Sequence, residues 1–474
     1  MTHCPDPFSL DTPLLYLSDT DVFTVRDACE GVQVFGATGS GKTSGSGAAL
    51  ARAFLRAGFG GLVCCAKPEE RRMWQKYAEA TGRAGDLAII APGQQRERSP
   101  YRFNFLDYEL RRAGPGGGLT ENVVNLLTQV VEIVQGKQGP DSEGGFWRNG
   151  RDELLRNAVD LLSLAGEPLT LDNLCKLVLD APSSLTQARD PYYFNAAYTY
   201  QLLTQAERRA SSPREKNDFT RAGDYWLRSY PSMPEKTRGG IVATFRGVAD
   251  VLLHGLAWEL LATDTNIVPE VTYRRGAIIV LDLSIQEYRE TGRVVQAIWK
   301  TLFQQAMLRR DPEEHPRPVF LWADEAQHFV TSFDYEYQAT ARSARAATVY
   351  LTQSLSNYRA RLGQGGHDQA DALLGLFQTK IMHANADYTT NKYASDLIGQ
   401  VWSTRDNWSG QARSGTSYGQ SESVESKILP AVFTVLRKGG TANRGKVDAV
   451  IFQGGRVWDA TNDTYLPVTF VQQG

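Results

Sequence analysis

Short apolar runs alternate with amphipathic segments at the start of the chain. The runs at 31–35, 60–66 and 86–91 are almost wholly apolar, which is typical of strands buried on both faces of a sheet. The segments between them, 46–57 and 71–81, carry apolar residues at helical spacing. Strand, helix, strand, helix, strand in this order predicts a parallel sheet covered by helices.

The pattern changes at a Gly/Pro cluster at 113–118, after which helical periodicity dominates a long part of the chain. Helices are predicted at 121–135, 146–164, 171–179 and 241–261, and a polar surface turn or loop at 204–219.

Strand signals return near residue 276. Strands are predicted at 276–283, 318–323, 347–352 and 379–383, a long helix at 291–309, and a mobile Ser/Gly-rich loop at 402–424. The economical interpretation is one α/β domain over 1–112 and 270–474, interrupted by a mostly helical domain at 113–269.

A glycine-rich turn between the first predicted strand and helix carries the first candidate chemistry. It reads Gly36-Ala37-Thr38-Gly39-Ser40-Gly41-Lys42-Thr43 and fits the phosphate-loop pattern G-x-x-x-x-G-K-[ST]. Glycines let backbone N–H groups approach phosphates, Lys42 would neutralise the β- and γ-phosphates, and the Thr43 hydroxyl would ligate Mg²⁺. The alternative is a merely flexible turn, but the strand–loop–helix context favours binding of ATP with Mg²⁺.

The second half of such a site is an acidic residue after a neighbouring strand. The apolar run at 318–323 ends in Asp324 and Glu325, which would hold the Mg²⁺ shell and act as general base on the attacking water, respectively. An ordinary helix N-cap is the alternative for this pair. Lys42 and Asp324 lie much further apart than the roughly 30 residues of one βα unit, so the spacing independently predicts an insertion.

Three further polar residues are candidates for the catalytic site. Gln353 ends the strand predicted at 347–352 and could contact the γ-phosphate or the attacking water. Arg342 and Arg345 lie on a segment with helical character and could reach the nucleotide of a neighbouring subunit as arginine fingers. Solvated helix arginines are an equally good interpretation of this pair.

Charge and hydropathy restrict the partners. Lys+Arg is 51 and Asp+Glu is 53, giving a net charge of −2, so any DNA contact needs a local basic lining. There is no apolar run of 18 residues to span a membrane, and residues 1–11 lack the pattern of a signal peptide. We therefore expect a cytoplasmic protein, or one held peripherally at the inner membrane by partners.

Several segments together resemble the ATPase portion of conjugative coupling proteins of type IV secretion systems, within the hexameric FtsK/HerA-like DNA-translocase superfamily. They occur in the family's order: FGATGSGKTSG (35–45), YRFNFLDYE (101–109), Phe146-Trp147, IIVLDLS (278–284), FLWADEAQHF (320–329), TVYLTQSLSNY (348–358) and KIMHANADYTTNKYASDLIG (380–399).

The resemblance implies a RecA-like P-loop NTPase domain with a mainly parallel sheet, an inserted all-α domain, and a homo-hexameric ring that moves DNA at the expense of ATP. It also implies secretion-channel or relaxase partners, and makes Arg342 the first choice and Arg345 the second for the trans-acting arginine. Two alternatives stay open: a secretion or assembly ATPase that acts on protein without DNA, and a non-motor nucleotide-binding scaffold.

Two features depart from the family pattern. Coupling proteins usually begin with transmembrane helices, which this sequence lacks. The family's Asp-Pro-Lys-Gly-Glu-like turn is replaced by Cys65-Ala66-Lys67-Pro68-Glu69, which keeps Lys67 and Glu69 but has Cys65 in place of the acid. No role is therefore assigned at that acidic position.

Overall fold

The computed structural model describes residues 8–93, 97–135, 145–362, 366–411 and 414–472. The chain forms two compact units, Met1–Ala88 with Glu270–Asp282 and Phe303–Gly474, and Ile89–Pro269 with Leu283–Leu302. The functional domain limits given above, 1–112 with 270–474 around 113–269, stay a prediction.

The strands of the described residues are β1 (Pro13–Tyr16), β2 (Val22–Thr24), β3 (Val32–Phe35), β4 (Gly60–Cys64), β5 (Leu87–Ile90), β6 (Ile278–Leu281), β7 (Val319–Ala323), β8 (Ala346–Thr352), β9 (Thr379–Met382), β10 (Gln400–Gln411), β11 (Ser414–Ser426), β12 (Lys446–Gln453) and β13 (Tyr465–Val471).

The helices of the described residues are α1 (Val25–Cys29), α2 (Ala48–Arg56), α3 (Glu69–Ala80), α4 (Phe105–Arg111), α5 (Thr120–Gln135), α6 (Gly145–Ala165), α7 (Leu171–Asp180), α8 (Pro191–Ala196), α9 (Tyr198–Arg209), α10 (Pro213–Asp224), α11 (Tyr230–Ser232), α12 (Glu235–Leu253), α13 (Gly255–Leu261), α14 (Val271–Arg275), α15 (Ile285–Arg309, broken at Arg289), α16 (Phe333–Thr340), α17 (Leu355–Leu362), α18 (Gly366–Leu376) and α19 (Tyr388–Ile398).

The main sheet has nine strands in the order β13-β12-β9-β3-β8-β7-β4-β6-β5. The pairs from β9 across to β6 are parallel, whereas β12 is antiparallel to both β9 and β13. This mainly parallel sheet confirms the predicted α/β class. The sequence prediction omits β12 and β13, whose apolar residues are interrupted by Asp448 in the first strand and by Pro467 and Thr469 in the second.

Aromatic packing beside β7 shows why the strand is apolar throughout. All five of its residues are buried. Phe320 and Trp322 have two-residue spacing and so point to one face, where Trp74 of α3 stacks on Phe320 at 5.3 Å and meets Trp322 edge-on at 5.3 Å. This packing fixes the strand that ends in the two candidate carboxylates.

The other unit is built around α6, which packs against α5, α7, α9, α10 and α12. Leu154, Leu155, Ala158 and Leu162 are fully buried or nearly so along this helix. A broad apolar surface of this kind is what a central helix needs when neighbours cover most of its circumference.

Three predictions of local structure outside the candidate site are wrong. The segment 204–219 is mostly helix, since α9 and α10 meet at a short turn where Ser212 and Glu215 form a capping box. The predicted loop at 402–424 is a hairpin, because β10 and β11 satisfy each other's backbone groups in register; residues 412–413 lie outside the described residues. The helix predicted at 241–261 is two helices bent by 86°, with His254 between them and Gly255, the first residue of the second helix, at a φ of 51°.

In the part of the chain that the structure describes, no single helix is both long and apolar enough to cross a membrane. Among the described helices, the bent pair of α12 and α13 meets that length and composition when the two are taken together.

Candidate nucleotide site

The loop after β3 turns sharply at two of its glycines. Gly39 has a φ of 72° and Gly41 a φ of 86°, values that glycine adopts without the steric cost of a side chain. The Ser40 amide donates to the Ala37 carbonyl at 3.0 Å and closes the turn. Thr38 and Gly39 are exposed at its tip, whereas the Ser40 and Lys42 side chains are buried.

Close contacts hold this loop on both sides. A Cβ at Gly36 would lie 2.4 Å from Ser40 Oγ, and one at Gly41 would lie 2.7 Å from Val447 Cγ2. Val447 belongs to β12, so one of the antiparallel strands supports the loop. The glycine pattern therefore reflects packing as well as access to phosphate.

A π-helical turn over Thr43–Gly47 joins the loop to α2. Within it, Ser46 Oγ lies 2.7 Å from His383 Nε2, and His383 Nδ1 lies 3.0 Å from the Asp448 carbonyl oxygen. Because a carbonyl only accepts, Nδ1 carries the proton and Nε2 accepts from Ser46. His383 thus ties the turn to β12.

The structure brings the phosphate loop and the predicted acids together. Thr43 Oγ1 donates to Asp324 Oδ2 at 2.8 Å, although the two residues are 281 positions apart. Asp324 is 1% exposed and follows directly on β7. A hydroxyl and a carboxylate at this separation offer the hard oxygen ligands that Mg²⁺ prefers.

Glu325 lies beside this pair, with its carboxylate inside a set of donors. Its side chain is 6% exposed, and its backbone adopts a left-handed φ of 51°. That conformation is uncommon for a residue with a side chain, and such strained residues cluster at functional sites. Gln327 Nε2 donates to Oε2 at 3.0 Å, and Gln353 Nε2 and Lys67 Nζ donate to Oε1 at 3.1 Å and 3.2 Å. Lys42 Nζ forms an ion pair with Oε1 at 3.6 Å.

These donors control the charge of the cluster. Burial by itself raises the pKa of Glu325, but the hydrogen bonds from Gln327 and Gln353 and the two lysines outweigh it and lower the pKa to about 2. Glu70, at the start of α3, behaves differently: burial, and then the charge of Asp324, raise its pKa well above the ordinary value. The site therefore combines an ionised carboxylate, Glu325, with a carboxyl group, Glu70, that favours its neutral form.

The sequence prediction assigned no role to Lys67 or Gln327, which both contact Glu325. The Lys67 ammonium reaches it because β4 and β7 are adjacent strands, with Cys64 opposite Ala323. Gln327 is oriented by Thr352, whose hydroxyl donates to Gln327 Oε1 at 2.7 Å. Gln327 is only two residues after Glu325, so the sequence could have suggested a contact between them. The pairing of Glu325 with Lys67 could not be predicted from the sequence order.

Arg342 and Arg345 lie away from the phosphate loop of their own chain. The prediction that they occupy a helical segment is wrong, because α16 ends at Thr340 and both arginines lie in the turn before β8. That strand has seven residues, so its ends are about 20 Å apart at roughly 3.3 Å per residue. Arg342 is exposed and pairs with Glu30 at 3.2 Å, whereas Arg345 donates to the Phe8 and Pro316 carbonyls.

Comparisons with known proteins extend this description. Residues 318–432 match the family model described as the TraM recognition site of TraD and TraG. No curated protein sequence matches the chain. The unbound bacterial conjugative coupling protein TrwBdeltaN70 is similar to this chain, with 17% sequence identity and a TM-score of 0.59; the match covers 97% of this chain and 90% of that one. TrwB with the ATP analogue ADPNP has 18% identity and a TM-score of 0.57, and the match covers 95% of this chain and 87% of that one. TrwB with ADP and Mg²⁺ has 17% identity and a TM-score of 0.57, and the match covers 96% of this chain and 87% of that one.

The sheet, the helical unit and the match across nearly the whole chain define the class: the fold is that of a RecA-like P-loop NTPase with an all-α domain. The predicted fold is thereby confirmed. The resemblance to conjugative coupling proteins, first seen in the ordered sequence segments, is confirmed over residues 318–432 by the family match, and the TrwB structures confirm the fold.

Proposed function

We propose that this chain is an ATP-hydrolysing motor, the coupling ATPase of a type IV secretion system, which moves DNA or a nucleoprotein through a homo-hexameric ring. The observation that carries the proposal is the junction of the two half-sites, with Thr43 2.8 Å from Asp324 and Glu325 immediately beside them. TrwB, which has the same fold, has been solved with an ATP analogue and with ADP and Mg²⁺, and this supports the same ligands here.

The residues present fit ATP and Mg²⁺. The tip glycine, Gly39, has no atom within 4 Å of the position its Cβ would occupy, so the loop leaves room for phosphate. Thr43 and Asp324 would hold Mg²⁺, directly or through water, and the ion would neutralise charge on the phosphates. The polyphosphate would rest on the loop formed by Gly36, Thr38, Gly39, Ser40 and Gly41, with Lys42 as its counter-charge.

Hydrolysis follows from the roles of the chain's own side chains. Glu325 accepts the proton of the attacking water, and Gln353, whose amide already lies 3.1 Å from that carboxylate, orients the water against the γ-phosphate. Arg342 supplies positive charge to the nucleotide of a neighbouring subunit. We place Arg345 second, since its guanidinium already bonds two carbonyls of its own chain.

The partners follow from the family match. Residues 318–432 match the TraM recognition site of TraD and TraG. We therefore propose that this segment recognises a relaxosome protein, as the matching segment of TraD and TraG recognises TraM. The helical domain at 113–269 would contribute to the choice of cargo. We place the assembly in the cytoplasm, peripherally at the inner membrane through secretion-channel or relaxase partners.

A steady-state ATPase assay with and without DNA tests the proposal. Wild type should hydrolyse ATP faster with DNA, and Glu325→Gln should lower kcat by at least about 100-fold while still binding ADPNP. Asp371→Asn, which removes a half-exposed carboxylate paired with Arg359, is the control and should keep full turnover. Hydrolysis without DNA stimulation would favour protein cargo, and unchanged turnover in Glu325→Gln would leave only a nucleotide-binding scaffold.

A further inference from the structure

Two lysines share one oxygen of the proposed general base. Lys42 Nζ lies 3.6 Å and Lys67 Nζ 3.2 Å from Glu325 Oε1. The glutamate side chain is 6% exposed, so its charge has little water around it. A buried carboxylate of this kind needs a cation as well as hydrogen bonds, and the other two donors, Gln327 and Gln353, are neutral amides.

The two lysines differ in what holds them. Lys42 belongs to the phosphate loop, so phosphate competes with Glu325 for its ammonium as soon as a nucleotide occupies the loop. Lys67 follows β4, a different strand, and reaches Glu325 because β4 lies directly beside β7. Its backbone amide donates to Glu70 Oε1 at 3.1 Å, which fixes the turn that carries it. Phosphate binding therefore removes one cation from Glu325 and leaves the other.

We propose that Lys67 is a positioning residue for hydrolysis, which holds the Glu325 carboxylate toward the attacking water after Lys42 has turned to the phosphates. This inference rests on the proposed function and adds a third element of the sheet, β4, to the catalytic arrangement. Glu325 needs such support because its left-handed backbone, at a φ of 51°, is itself strained. In this role Lys67 acts through Glu325, the carboxylate it contacts at 3.2 Å.

The test is to measure kcat, KM for ATP and the Kd of ADPNP in the full chain for wild type, Lys67→Met and Lys67→Arg. A misplaced base costs about 10- to 100-fold in rate, so Lys67→Met should lose that factor in kcat with KM and Kd within about twofold of wild type. Lys67→Arg should recover most of the loss. Lys427→Met removes a lysine of similar exposure, 22% against 29% for Lys67, which pairs with Asp463 at 2.5 Å, and this variant should keep wild-type kcat.

A double-mutant cycle separates positioning from other roles. If Lys67 acts through Glu325, then Lys67→Met with Glu325→Gln should be no slower than Glu325→Gln alone. A Lys67 that instead bound the γ-phosphate would weaken ADPNP binding more than ADP binding in Lys67→Met, which would overturn the inference. A folded Lys67→Met variant with wild-type kcat would also overturn the inference about Lys67, but it would leave the proposed function intact. A wild-type protein with no ATPase activity would overturn both the inference and the proposed function.

Discussion

Acidification should loosen the attachment of the phosphate loop to β12, and His383 is the residue responsible. Its ring is 1% exposed, accepts from Ser46 at 2.7 Å and donates to the Asp448 carbonyl. Burial, supported by the charge of Lys42, lowers the pKa of His383 from 6.5 to about 4, although the Asp448 hydrogen bond acts in the opposite direction. Protonation in the folded state would also place a donor at Nε2, where the ring now accepts.

The sign and size of the effect follow from these two pKa values. The unfolded chain binds this proton near pH 6.5 and the folded chain only near pH 4, so acid favours unfolding between those values. The stability is complete above pH 6.5 and is lost as pH falls toward 4. At about 1.4 kcal/mol per pKa unit, the loss between pH 7.5 and pH 4.5 is on the order of 2–3 kcal/mol from this residue alone.

Urea denaturation of wild type and His383→Gln at the two pH values isolates this contribution, because glutamine cannot take up the proton. His383→Gln should be less stable than wild type at pH 7.5, by about 1–3 kcal/mol for the disturbed hydrogen bonds. Between pH 7.5 and pH 4.5, the free energy of unfolding should fall less in His383→Gln than in wild type, by about 2–3 kcal/mol. His254→Gln, at an exposed histidine, should follow wild type at both pH values. Equal acid-induced losses in wild type and His383→Gln would refute the reasoning.

Three further substitutions test a buried lysine in β9 and two glycines of the phosphate loop. Burial lowers the pKa of Lys380 to about 8, so its charge destabilises the fold at all pH values below that and stability rises between pH 8 and pH 10.5. Lys380→Met should therefore raise the free energy of unfolding at pH 7 by about 1–3 kcal/mol and abolish the rise at alkaline pH; a less stable variant at pH 7 would contradict this. Gly41→Ala should cost about 2–4 kcal/mol, from its φ of 86° and the contact with Val447, and should weaken ADPNP binding in a fluorescence titration. Gly39→Ala, which has a φ of 72° but open space, should cost only about 1–2 kcal/mol, and equal losses in the two variants would contradict the role of Val447.

Much of the parallel sheet could be predicted from local sequence. Strands such as β3, β4 and β7 are buried on both faces, so each is an uninterrupted apolar run with little ambiguity. The phosphate loop and the carboxylate pair were equally readable, because phosphate and metal chemistry require particular residue types at fixed spacing. The sequence predicts that the loop and the carboxylates lie together, and Thr43 and Asp324 are in contact at 2.8 Å.

Other elements depended on pairing that local sequence does not record. The hairpin of β10 and β11 is polar in sequence, and it is a strand pair because the two segments satisfy each other's backbone groups. The turn between α9 and α10 is set by the Ser212–Glu215 capping box, a signal easily hidden in a polar stretch. Periodicity could not find the break at His254, since apolar spacing continues across it.

The sequence by itself determined the fold class and the candidate residues of a nucleotide site, because buried strands and phosphate loops restrict composition directly. Only the tertiary structure decided which side chains surround Glu325. Lys67 is 258 residues from it along the chain, and the two meet only because β4 is ordered beside β7 in the sheet. Strand order is a property of long-range pairing, which no local pattern encodes.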